Sequence, residues 1–366
     1  MNESLRGDFQ HLRCAGDFWS LRAVDERAEN FAVRKNVPQP PATSADCGAM
    51  LTVYADGGCG YAATSDLSRA GLQRALDRAS GWARASAARS LIDFRALPNI
   101  APRGEYASPD TAARPWSRSE WYDLLAAESR EAGFDPRIVD WEASVEARIA
   151  RHTYLTSAGG EVVQLFRFVM PNLSVSAHAG GDTQTRTLNG YRGLAQQGGE
   201  SILDRFGFRG SGRRIADEAL QLLAAPNCPH GKMDVLLMPD QMVLQIHESI
   251  GHPLELDRIL GDERNFAGTS FVTLDMFGSY RYGSELLNVS FDPTRATSSP
   301  NALSPGSMFR FAMRSIGGRF QLSARAFATP GSPARCCEIA PPSGRSRMPL
   351  RIRNVFSARM PSSSKP

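Results

Sequence analysis

A break in composition at Ala296 limits what this chain of 366 residues can fold into. From Ala296 to Pro366 it carries ten Arg and one Lys against a single acid, Glu338, together with 13 Ser and nine Pro. Such a segment has little apolar surface to offset its ordering entropy. A packed core must therefore come from Met1–Arg295, which holds 31 bases and 37 acids. The body is about −6 and the last 71 residues about +10, so the overall +4 averages two unlike pieces. A nucleic-acid binder would need its excess base on a folded face. Here the excess lies in the tail, and no nucleic-acid partner is expected.

Other classes are excluded more directly. A hydrophobic content of 42%, with 18 Phe and 11 Met, is too high for wholesale disorder. It suits two or three domains with their own cores. No apolar run approaches the roughly 20 residues of a membrane helix, and Met1–Gln10 has no hydrophobic signal segment. The six cysteines, at positions 14, 47, 59, 228, 336 and 337, are too sparse for a disulfide framework. These features predict a cytoplasmic protein with reduced thiols and no membrane partner.

Hydropathy patterning predicts an α+β protein. In residues 1–98, Phe18–Val24 and Asn30–Lys35 alternate like two strands around an acidic turn. Ala49–Ala55 and Cys59–Thr64 read as two more, joined by an Asp56-Gly57-Gly58 turn. Ser68 reads as the N-cap of a helix to about Ala88, with Leu72, Ala75, Leu76 and Ala79 on one face. This is a mixed α/β N-terminal domain. Prolines 98, 102, 109 and 115 mark a connector from Leu97 to Trp116. Residues 117–226 read as a β-meander-plus-helix domain. A helix spans about Ser119–Ala132, strands follow over Asp140–Ala150, Arg151–Ser157, Val162–Met170 and Leu173–His178, and a helix spans about Gly212–Ala224. Residues 231–295 open with a buried strand, Met233–Met238, and then a helix capped by Asp240.

That helix carries the sharpest motif in the chain, His247-Glu248-Ser249-Ile250-Gly251-His252. Metal-dependent hydrolysis needs neutral imidazoles on the ion, an open position for water and a carboxylate to take that water's proton. In the familiar His-Glu-x-x-His motif the two rings lie about 40° apart around the helix. Here the spacing is one longer, which makes it about 140° on an ideal helix. The two rings could not then share an ion. Pro253 disfavours the helical region for the residue before it, so a break by His252 is expected, letting the second ring swing back. Against this stands the plain reading of two His and one Glu brought together by chance.

Extent decides for the site. His247-Glu-Ser-Ile-Gly-His-Pro-Leu-Glu-Leu-Asp-Arg258, followed by Asn265-Phe-Ala-Gly-Thr-Ser-Phe-Val272, resembles the active-site region of the TldD/PmbA family of zinc metallopeptidases. Gly48-Ala-Met-Leu-Thr-Val53, Gly60-Tyr-Ala-Ala-Thr-Ser-Asp-Leu67 and Gly71-Leu-Gln-Arg-Ala75 are similar to the family's N-terminal domain. The resemblance runs from about Phe18 to Arg295. It is to the TldD-type subunit, since the PmbA/TldE-type partner lacks the motif. It implies Zn2+ held by His247, His252 and a far-downstream Cys, with Glu248 as general base activating a metal-bound water. It also implies unfolded or short peptides as substrates, and assembly with a PmbA/TldE-type partner subunit or as a homodimer.

Other residues read more modestly. Glu255 and Asp257 could orient a ligand ring, although surface or capping acids is the plainer reading. Cys228 and His230 could bind metal but fit a solvated loop better. His152 and His178 sit in strand patterns and read as structural. Gly57-Gly58-Cys59-Gly60 lies in a hairpin without a Lys, unlike a phosphate loop.

The resemblance stops near Asp292–Arg295, where the family continues into a β-rich part bearing the third ligand. Residues 296–366 predict either a disordered basic extension or, as we prefer, translation of GC-rich DNA out of frame. On that reading the C-terminal metallopeptidase domain is incomplete, activity of this copy is doubtful, and Cys336 and Cys337 are not ligands. The alternative function is a catalytically inactive subunit or remnant that binds a PmbA/TldE-type partner.

Overall fold

The computed structural model describes residues 2–90, 93–188, 195–227, 230–232, 237, 242, 245–261, 264–283, 287, 289, 315–316 and 319–320. The chain is α+β. Residues 1–223 belong to one compact unit, built on a large twisted sheet. Its strands are β1 (Phe18–Arg34), β2 (Val37–Pro38), β3 (Ala42–Ala55), β4 (Gly58–Thr64), β5 (Arg103–Ala107), β6 (Ile138–Thr156), β7 (Glu161–Ala179), β8 (Asp182–Thr187) and β9 (Gln196–Gln197). The main path runs β4-β3-β1-β6-β7-β5, with β2 on β1 and both β8 and β9 on β7. Every pair is antiparallel except β5 with β7.

Several expected strands are one. The supposed acidic turn in β1 is an unbroken ladder, with Asp25 opposite both Cys47 of β3 and Arg151 of β6. Side-chain alternation explains the false break. Leu21 and Ala23 pack in one core cluster, Phe31 and Val33 in another, and all four share a face because strand side chains repeat every two residues. Asp25, Arg27 and Glu29 fall between the two clusters, where charge is tolerated. Glu29 pairs with Arg118 at 2.6 Å and Glu26 with Arg148 at 3.3 Å. Likewise β6 and β7 each merge two expected strands. Pro171 sits inside β7 without breaking it, because it lies between the residues of β7 that pair with β9 and those that pair with β8. The proline-rich connector contains β5, which sequence periodicity did not show.

Helices cover the shared face. Helices α1 (Asn2–Gln10) and α2 (Arg69–Ser86) bury Leu5, Phe9, Leu72, Leu76 and Ala79 against Leu21, Leu51 and Val53. Helices α3 (Arg118–Ala132) and α5 (Ser211–Ala224), with the short α4 (Ile202–Arg205), bury Trp121, Leu125, Ile202 and Ile215 against Phe31, Val145 and Leu173. Both α2 and α3 carry serine caps. Ser68 Oγ accepts from Gly71 N at 3.1 Å, and Ser117 forms a reciprocal capping box with Glu120.

The glycine-rich run serves packing. Asp56 and Gly57 both have positive φ, which makes the tight β3–β4 turn. A Cβ at Gly60 would lie 2.2 Å from Ala79 O, so its absence lets α2 sit close on β4. Cys14, Cys47 and Cys59 are free thiols, and burial raises the pKa of Cys59. No described helix is long and apolar enough to cross a membrane.

Residues 224–292 lie in the second unit. Most of the expected strand Met233–Met238 lies outside the described residues, as do Asp240, Val243, Leu244 and Cys228. In the tail, Ser315–Ile316 pairs with Arg319–Phe320. Cys336, Cys337, Met308–Met313 and Arg351–Phe356 also lie outside the described residues.

Candidate metal centre

Met242, Gln245 and Ile246 are helical, and the helix reaches His247 with Ile246 buried. The helix distorts before Pro253 and brings the two rings together, as expected, but it does so through a wider turn and not by breaking at His252. Residues His247–Gly251 form a π turn, in which His252 N donates to His247 O five residues back. Widening the turn by one residue restores what the longer spacing had lost, since residues five apart now lie one turn apart. His252 itself keeps helical angles, φ −57° and ψ −42°, despite the following Pro253. The chain continues as a 3-10 turn over His252–Leu254 and leaves the helical region only at Glu255, where ψ is 121°. A five-residue helix, α6 (Leu256–Leu260), ends at Gly261 in the left-handed conformation.

The two imidazoles meet edge to face, their centroids 4.4 Å apart and their planes at 76°. Glu248 joins them. Its Oε1 lies 4.0 Å from His247 Nε2, and its Oε2 lies 3.8 Å from His252 Nε2. One donor atom from each of the three residues falls within 4.8 Å of the others. The Glu248 side chain is 59% exposed, while those of His247 and His252 are 36% and 29%. The group is open to solvent on its carboxylate side. A nitrogen-and-oxygen donor set of this kind suits a divalent transition-metal ion such as zinc.

Behind His252, Glu255 Oε1 lies 2.8 Å from its Nδ1. The Glu255 side chain is only 17% exposed and faces the ring, not open solvent. Asp257 lies in the first turn of α6, its Oδ1 accepting from Arg258 N at 2.9 Å. Sequence patterning gave no role to Arg258 or Ser270. Arg258 pairs with Glu255, and Ser270 Oγ donates to Pro253 O at 2.6 Å. The signal for Arg258 was its place three residues after Glu255, in reach only on a helical turn. His152 lies edge-on to Phe166 at 5.1 Å, His178 Nδ1 is 2.9 Å from Thr183 Oγ1, and His230 is on an exposed loop.

Another side of the π turn is apolar. Ile250 packs with Ile246 and Val289. Ser249, Ile250 and Pro253 also help line a cavity of about 530 Å³ with Phe271, Phe277, Tyr280 and Tyr282.

Residues 19–83 match the family model described as PmbA/TldA metallopeptidase domain 1. Over those residues the chain is similar to the PmbA/TldD family. A metalloprotease of Methanothermobacter thermautotrophicus is 29% identical over 183 residues, covering 44% of this chain and 39% of that protein. A metalloprotease of Methanocaldococcus jannaschii is 36% identical over 83 residues, covering 19% of this chain and 18% of that protein. The chain therefore aligns with less than half the length of these curated relatives. Among solved structures, a proposed modulator of DNA gyrase from Bacteroides thetaiotaomicron superposes with a TM-score of 0.53 at 15% identity. That match covers 69% of this chain and 56% of the other, and it speaks to fold.

Proposed function

We propose that this chain derives from a TldD-type zinc peptidase that hydrolyses unfolded or short peptides in the cytoplasm. The observation that carries this reading is the π turn, which brings His247, Glu248 and His252 to one point although their spacing is wrong for an ordinary helix. His247 and His252 would hold the ion through their Nε2 atoms, and a further ligand would come from elsewhere. Zinc there would polarise the peptide carbonyl and ease deprotonation of water. The rest falls to the protein. Glu248 is a carboxylate beside both rings, exposed enough to meet water, and is the base that takes the proton and returns it to the leaving amine. The family resemblance adds a PmbA/TldE-type partner or a second copy of the chain.

The test separates base from ligand. In a chain that hydrolyses peptide, Glu248→Gln lowers turnover by about 10²–10⁴ while zinc stays bound. Unchanged hydrolysis removes Glu248 from the role, and loss of zinc makes it a ligand. The composition change at Ala296 favours a second reading, a catalytically inactive subunit that binds a PmbA/TldE-type partner. Zinc content of the purified full chain discriminates. Weak or absent zinc together with retained partner binding selects the inactive subunit, and sequencing the DNA across codons 285–305 shows whether the frame changed.

A further inference from the structure

His252 is gripped from behind by a short relay. Its Nδ1 meets Glu255 Oε1 at 2.8 Å, and the other oxygen of Glu255 takes the Nε of Arg258. Arg258 reaches on, its Nη1 donating to Ala267 O at 2.8 Å. The backbone closes the circuit, since Ser270 N donates to Arg258 O at 3.3 Å and Ser270 Oγ to Pro253 O at 2.6 Å. The side chains of Glu255 and Arg258 are only 17% and 20% exposed, so this is not a solvated surface pair.

The relay poses a choice of tautomer. Besides Glu255, Nδ1 has Arg258 Nη2 at 3.3 Å. A carboxylate only accepts hydrogen bonds and a guanidinium only donates them, so the two neighbours demand opposite tautomers. Glu255 needs a proton on Nδ1 and leaves Nε2 bare. Arg258 would need Nδ1 bare and the proton on Nε2, which would block that nitrogen as a ligand. The carboxylate is the closer neighbour, and its bond is charge-assisted. Arg258 already has acceptors in Glu255 and Ala267 O. At Nε2 the carboxylate of Glu248 stands 3.8 Å off, beyond hydrogen-bond length.

We propose that Glu255, anchored by Arg258 to the 264–270 loop, is a positioning residue that fixes His252 with its proton on Nδ1 and its Nε2 lone pair aimed at the centre of the site. This rests on the metal-site reading for its purpose, but the tautomer is a property of the metal-free chain. Metal-ligating histidines commonly show this arrangement, and losing the outer partner typically costs about 10–100-fold in metal affinity.

Nitrogen-15 NMR of the imidazoles in the full chain at pH 8, with a chelator present, reads the tautomer directly. The native chain should show His252 protonated at Nδ1. Glu255→Ala should move the proton largely to Nε2. Glu255→Gln keeps the shape but offers both an acceptor and a donor, so it should give a mixture and covers the case where the alanine variant fails to fold. Zinc titration against a chromophoric chelator should then show affinity about 10–100-fold lower in Glu255→Ala. A native His252 protonated at Nε2, or a tautomer unchanged in both variants, overturns the proposal. If the native chain binds no zinc yet the tautomer switches, the metal reading fails while the role of Glu255 stands.

Discussion

The sheet unit and the segment around the motif are stabilised by different means. In the sheet unit, β1 is hydrogen-bonded along nearly its whole length to β3 and β6, and Leu21, Ala23, Phe31 and Val33 are almost fully buried. Around the motif, the elements are a π turn, two 3-10 turns and α6, and the core cluster among described residues is Ile246, Ile250 and Val289 with three flanking side chains. Phe266 is 93% exposed on its loop. One region derives its order from apolar burial, the other from polar clasps such as Glu255–Arg258 and Ser270–Pro253. A scaffold held by burial tolerates polar changes on its surface. A site held by a few directed bonds should yield to the loss of any one.

The sharpest test of that contrast exchanges one phenylalanine in each region. Phe31 is 1% exposed and stacks on Trp121, so Phe31→Ala should cost about 3–5 kcal/mol in urea unfolding of the sheet unit. Phe266→Ala should stay within about ±0.5 kcal/mol. Equal losses at both positions would erase the distinction between the two regions.

A smaller effect should come from the ends of helices. Ser117→Ala removes the N-cap of α3 and half of its capping box, and should cost about 1 kcal/mol in the same assay. Glu120 is held down to about pKa 2, by its bonds to Arg114 and then by Ser117. Its contribution is therefore present above the ordinary carboxylate range and fades as pH falls from 4.5 toward 2.

The smallest expected change appears at high pH. Burial, with Cys59 and Tyr154 nearby, raises the Tyr54 hydroxyl to about pKa 12 from 10. In that window the folded chain binds the proton more tightly than the unfolded one, so stability is full below pH 10 and declines as pH climbs toward 12. Ultraviolet titration of tyrosine should show one late-ionising group that Tyr54→Phe removes. If no late group appears, Tyr54 is more solvated than its place between Phe18 and Phe94 indicates.

Much of this was legible in the residues, for identifiable reasons. Ser68 announced α2 because capping chemistry is local, and the apolar spacing of Leu72, Ala75, Leu76 and Ala79 named its buried face. The merged strands were hidden because Asp25–Glu29 looks like a turn until its partners on both sides are known. β5 was hidden because Gly104 and Glu105 carry no alternation, and only pairing with β7 makes the segment a strand. At the candidate site, which residues come together was legible and their geometry was not. The motif named His247, Glu248 and His252, but a hydrogen bond to the fifth residue back has no marker in residue type. Glu255 was read as an ordinary acid because only a turn that closes at Ser270 and Ala267 gives it a guanidinium partner.

The π turn also bears on how such a motif could change with time. An α-helix that gains one codon normally rotates every downstream side chain by about 100°, scattering whatever had been aligned. Here the extra residue between Glu248 and His252 is absorbed within the turn itself, and the two rings stay in contact. Deleting that residue would leave an ordinary four-residue step with the same two rings adjacent. The five-residue and four-residue forms of the motif are thus neighbours in sequence space, separated by a single indel that leaves the pair of imidazoles in register.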